Sequence, residues 1–73
     1  VSPHEPHAAV VERLLRKPPQ LARAELCRLL DVAKTHKLGT RAHEVALDAN
    51  AHLITDIRVR CASRNVKPPW LQP

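Results

Sequence analysis

"RAHEVALDANAHLITDIRVRCASRN" (residues 41–65) decides how this chain folds, because it holds two competing patterns. Its centre, "ITDIRV", is rich in β-branched residues and allows a strand. Across the whole segment, however, Ala42, Ala46, Ala49, Leu53 and Ile57 lie on one line at helical spacing, and Leu47, Ile54 and Cys61 broaden that line to one side. The stripe passes through "ITDIRV" without a break, so the segment predicts one helix over about residues 40–64.

Prolines at 3, 6, 18, 19, 68, 69 and 73 and a single glycine, Gly39, punctuate the rest. Upstream of the first gap, "SPHE" reads as a capping box with Ser2 as N-cap, Pro3 in the first helical position and Glu5 reaching back. Pro6 equally allows a start at Glu5. Either start leads to Ala8, Val11, Leu14 and Leu15, and the helix ends at Arg16 or Lys17, because the residue before a proline is pushed out of the α region. After Pro18 and Pro19, the residues Ala22, Leu26, Leu29, Leu30 and Ala33 form a second buried stripe. Gly39 is expected to end that helix in a left-handed conformation, and Thr40 to cap the next one.

The expected fold is therefore all-α: a small up-down-up three-helix bundle with a long third helix and a Pro-rich C-terminal tail. Its helices span about 5–16, 20–38 and 40–64 and its tail 65–73, in one domain over 1–73. At ~1.5 Å per residue the third helix is ~37 Å long, against ~27 Å and ~17 Å for the others, so it overhangs them. The overhang is expected to carry Ile57, Val59 and Cys61, with Trp70 of "KPPWLQP" folding back as local cover.

A chain of 73 residues buries only ~60% of the surface that it exposes unfolded, so its core is small. Twelve Lys and Arg outweigh seven Asp and Glu, giving a formal charge of +5 and a pI near 10.0, a balance that favours anionic partners. The single aromatic residue, Trp70, excludes the stacking platforms on which single-strand binders hold bases. Cys27 and Cys61 lack the number and spacing of a secreted disulfide framework, which points to reduced thiols and an intracellular location. No apolar run approaches the ~20 residues of a membrane span. The first residue is not Met, so the chain is expected to be a piece of a longer protein.

Chemistry-bearing residues are present but badly spaced for catalysis or metal binding. His43 and Cys61 share a helix face at a separation of ~27 Å, and His52 between them points the other way, so no metal or other cofactor is expected. Asp48, His52 and Asp56 form an i, i+4, i+8 ladder that reads as a solvated face. No serine or cysteine sits beside a histidine with an orienting carboxylate, so neither enzymatic activity nor a small-molecule substrate is expected. "RAELCRLLDVAKTHKLGTR" (residues 23–41) resembles a DNA-binding helix-turn-helix at Leu26, Cys27 and Val32. It departs from that pattern at Asp31, Lys37 and Gly39. The tail lacks the proline spacing of a proline-recognition ligand.

Antiparallel packing of successive helices would bring Arg13, Arg16, Lys17, Arg23, Arg58, Arg60, Arg64 and Lys67 to one pole, facing only Glu12, Glu25 and Asp56. Cations offset the macrodipole at helix C-termini, but that does not account for Arg23 at a helix start. The expected function is a non-catalytic module whose basic pole contacts the phosphates of structured RNA or duplex DNA. The alternative is an interaction domain in which Ala42, Ala46, Ala49, Ile57, Cys61 and Trp70 meet an acidic or helical protein partner or a second copy of the chain.

Overall fold

A computed structural model of the chain describes residues 6–73, so the capping box at Ser2, Pro3 and Glu5 lies outside the described residues. Three α-helices follow one another: α1 (His7–Leu15), α2 (Pro19–Asp31) and α3 (Arg41–Ser63). Short 3₁₀ turns occupy Val32–Thr35 and Pro69–Leu71, and no strand occurs among the described residues. "ITDIRV" is helical, as its stripe requires.

Pro6 (φ −60°, ψ 143°) is the extended residue from which α1 starts, and Pro18 and Pro19 play the N-cap and first-turn roles for α2, where a missing N–H costs nothing. Thr40 caps α3: its hydroxyl accepts from the His43 N–H at 3.2 Å and donates to the Lys37 carbonyl at 2.6 Å. At the far end of α3, Asn65 turns left-handed (φ 60°), and its N–H and that of Val66 reach back to the carbonyls of Ala62 and Cys61. This is a Schellman close with asparagine in the position that glycine usually takes.

The second helix is shorter than the expected 20–38. The backbone tightens to 3₁₀ at Val32, and Gly39 (φ +82°) belongs to a separate turn before α3. Two hydrogen bonds mark the change: the Asn50 amide donates to the Leu30 carbonyl at 3.0 Å, and the Thr35 hydroxyl donates to the Val32 carbonyl at 2.7 Å. Both carbonyls would otherwise serve the next turn of an α-helix. Ala33 is buried all the same, because the 3₁₀ turn packs against α3. The nine residues between Asp31 and Arg41 rule out a helix-turn-helix, whose two helices are joined by a turn of about three or four residues.

Ion pairs fix the topology. Glu12 of α1 meets Arg60 and Arg64 near the end of α3, and Arg13 and Lys17 at the end of α1 meet Glu25 of α2. The helices therefore run up, down and up. Val10, Val11, Leu14, Leu26, Leu53, Ile57 and Cys61 form the core, flanked by half-buried Leu15, Leu29, Leu30, Ile54 and Trp70.

The long third helix overhangs, but at the opposite end from the one expected. Val10, Val11 and Leu14 of α1 share one cluster with Leu53, Ile57 and Cys61 of α3, so Ile57 and Cys61 are wholly buried and only Val59 of the expected trio stays exposed. The N-terminal half of α3 has no fully buried residue. There Ala42 is exposed, and Ala46 and Ala49 line a half-open cleft of about 330 Å³ with His7, Val10, Leu29, Val32, Asn50 and Leu53. The tail does fold back. It lies against α2 and the core, with Pro69 buried, and Arg23 Nη1 donates to the carbonyls of Pro69 at 2.9 Å and Gln72 at 2.8 Å.

Candidate nucleic-acid interface

Helix α1 is the wedge on which the basic pole is built. Its apolar residues Val10, Val11 and Leu14 enter the core, while adjacent residues Glu12 and Arg13 reach to different neighbours. Glu12 Oε2 receives Arg60 Nη1 at 2.6 Å and Arg64 Nη2 at 2.7 Å. Arg60 also donates from Nε to Asp56 Oδ1 at 3.1 Å, one turn back on the same helix. On the other flank, Glu25 is held by Arg13 at 3.2 Å and Lys17 at 2.9 Å.

These contacts hold both glutamates below the usual carboxylate range. For Glu12 the cause is the pair of hydrogen bonds from Arg64 and Arg60, and for Glu25 chiefly the hydrogen bond from Lys17. The same partnership pushes the Arg60 guanidinium further up, first through Glu12 and then through Asp56.

The eight cations named from the sequence divide into two groups of four. Arg13, Lys17, Arg23 and Arg60 are half-buried and act as braces, three of them in ion pairs and Arg23 on the tail carbonyls. Arg16, Arg58, Arg64 and Lys67 are exposed, and of these only Arg64 forms an ion pair among the described residues. Eight cations against Glu12, Glu25 and Asp56 leave an excess of five, equal to the formal charge of the whole chain. In the sequence the remaining four cations and four acids sum to zero.

Of the residues considered for a partner interface, Ile57 and Cys61 are taken up by the protein's own core and Trp70 packs half-buried against it. Ala42, Ala46 and Ala49 lie on the N-terminal half of α3, Ala42 exposed and Ala46 and Ala49 half-buried in the cleft against α1 and α2. Exposed Val45 and Leu47 share that half, and exposed Val32 and Leu38 lie in the connection that leads into it. The residues that sequence reasoning undervalued are Glu12, Glu25 and Arg23. Glu12 and Glu25 stood out only as minority charges, and nothing local reveals that Arg23 meets a segment 46 or more residues away.

No family model matches the chain, and comparison with curated proteins and with solved structures gives no significant match. Among the described residues, no helix is long and apolar enough to cross a membrane.

Proposed function

We propose that the chain is a non-catalytic helical module that lays its basic pole against the phosphate backbone of structured RNA or duplex DNA. The observation that carries this reading is the crowding of charge: Arg13, Lys17, Arg60 and Arg64 gather on Glu12 and Glu25, and the neighbouring segments add Arg16, Arg58 and Lys67, all exposed to solvent. A field of one sign at one end steers a polyanion to that end. Guanidinium contacts to phosphate then give affinity with little base-specific readout. Base stacking contributes little, because the sole aromatic side chain is packed against the core.

Labelled duplex RNA and DNA, titrated at two salt concentrations, test the reading. With about four phosphate contacts, affinity falls roughly a hundredfold between ~50 and ~200 mM salt. Arg16→Glu and Arg58→Glu weaken binding further without altering the helical circular-dichroism spectrum. Binding that ignores salt, or no binding even in dilute buffer, rejects the proposal.

A second reading has its own support in the N-terminal half of α3 and the connection leading into it, where Val32, Leu38, Val45 and Leu47 are exposed. Such a surface favours a helix of a protein partner or a second copy of the chain. In that case sedimentation of the nucleic-acid-free protein gives twice the chain mass, and Val45→Asp restores the monomer.

A further inference from the structure

We propose, resting on the phosphate-binding reading above, that Arg60 and Arg64 form a two-guanidinium phosphate seat that Glu12 occupies in the free protein, and that a backbone phosphate binds there by displacing the Glu12 carboxylate. Arg60 and Arg64 are one turn apart on α3, so their side chains rise from the same face and converge. They converge on a single atom: Glu12 Oε2 takes Arg60 at 2.6 Å and Arg64 at 2.7 Å. Two cations thus share one negative charge. A phosphodiester presents two non-bridging oxygens, one for each guanidinium, and arginine forks match that geometry.

The seat is positioned from below. Asp56 holds Arg60 through Nε and leaves its Nη edge turned to the seat, while Arg64 is the C-cap residue of α3, fixed by its bonds to the Arg60 and Cys61 carbonyls and by the Asn65 turn. Access is open as well. The side chains of Glu12, Arg60 and Arg64 are 29%, 30% and 46% exposed, so water screens the internal pair and a polyanion can compete with it. Glu12 therefore acts as an internal substitute for the ligand and lowers affinity for weak anions.

Anisotropy titrations of labelled duplex RNA at one ionic strength, with wild type, Glu12→Gln, Asp56→Asn and Asp48→Asn, separate displacement from a general charge effect. Each variant removes one negative charge. Asp56 touches Arg60 but lies outside the seat, and Asp48 sits near the middle of α3. Glu12→Gln is expected to tighten binding about threefold to fivefold, Asp56→Asn clearly less, and Asp48→Asn to leave it at the wild-type value. Equal gains for Glu12→Gln and Asp56→Asn, or no gain for Glu12→Gln, overturn the seat while leaving salt-dependent binding intact. A wild type that binds no duplex rejects the functional reading. The seat is then judged by a second measurement that needs no variant, the NMR signals of the arginine Nε–H groups during titration with inorganic phosphate. Shifts confined to Arg60 and Arg64 support the seat, and shifts spread over all exposed arginines, or none, overturn it.

Discussion

Thr40 joins two backbone devices through one hydroxyl, since it closes the turn at Lys37 and caps α3 at His43. Replacing it with alanine leaves a donor and an acceptor without that partner, and Thr40→Ala is expected to cost about 1 kcal/mol. Gly39 beside it stands at φ +82° with nothing within 4 Å of an added Cβ, so Gly39→Ala is destabilising through backbone strain alone, again by about 1 kcal/mol. Urea midpoints measure both effects, and an unchanged midpoint for either variant contradicts the stated role. The two thiols differ for a reason that also lies at single-residue scale. Cys27 is exposed on α2, whereas Cys61 is buried in the core, where desolvation pushes its thiol up despite the nearby Arg64 charge. One equivalent of a thiol reagent should therefore react quickly with the native protein, at Cys27, and the second only at the rate of unfolding. Two equal rates would place Cys61 at the surface.

At the scale of elements, what the sequence reveals is what repeats along one helix. The Leu53–Ile57–Cys61 stripe settles α3 against a strand, Thr40 marks its start, and Ala22 and Leu26 are buried as their spacing requires. What the sequence hides depends on contacts between elements. Gly39 looks like the end of α2, but that end falls at Asp31, where Asn50 from α3 takes the Leu30 carbonyl, a contact with no local signature. Likewise, helix lengths predict an overhang without saying which end projects, and the joint burial of Val11 and Leu14 with Ile57 and Cys61, alongside the Glu12 contact with Arg60 and Arg64, depends on two segments far apart in the chain. The tail was legible in part: an overhanging α3 calls for Trp70 as cover of Ile57 and Cys61, whereas the tail's anchor on Arg23 has no local signal. Buried Pro69 and half-buried Trp70 make this tail part of the core, so a chain cut after Lys67 should lose about 2 to 4 kcal/mol. Arg23→Met should lose less, because the packing of the tail remains when its two hydrogen bonds go. Denaturant titration followed by circular dichroism checks both, and a truncated chain as stable as the whole one would reduce the tail to a surface appendage.

Across the whole molecule, 37 × 24 × 22 Å in extent, charge and packing are arranged along the same axis. The pole that carries the excess of positive charge is also where α1 is fastened to both of its neighbours, and the fasteners are the two glutamates. Each is held below the ordinary carboxylate value of 4.5, Glu12 by Arg64 and Arg60 and Glu25 by Lys17. A carboxylate whose folded value lies below its unfolded value contributes stability that is fully present above the unfolded value and is lost as pH falls through the folded one. The melting temperature should therefore stay level from neutral pH down to roughly 5 and fall steadily below about 4.5. Protonation acts twice there, because it loosens α1 and removes carboxylates that the eight cations face, so their mutual repulsion grows. Two measurements separate these effects. In the double variant Glu12→Gln, Glu25→Gln the melting temperature starts lower at neutral pH and falls less on acidification, because the groups that titrate are gone. Added salt at acidic pH raises the wild-type melting temperature, since it screens a repulsion that no longer has attractive pairs beside it. A wild-type curve that stays level far below pH 4, or a double variant that falls as steeply as wild type, would mean that the fastening of α1 is apolar and that the glutamates only decorate it.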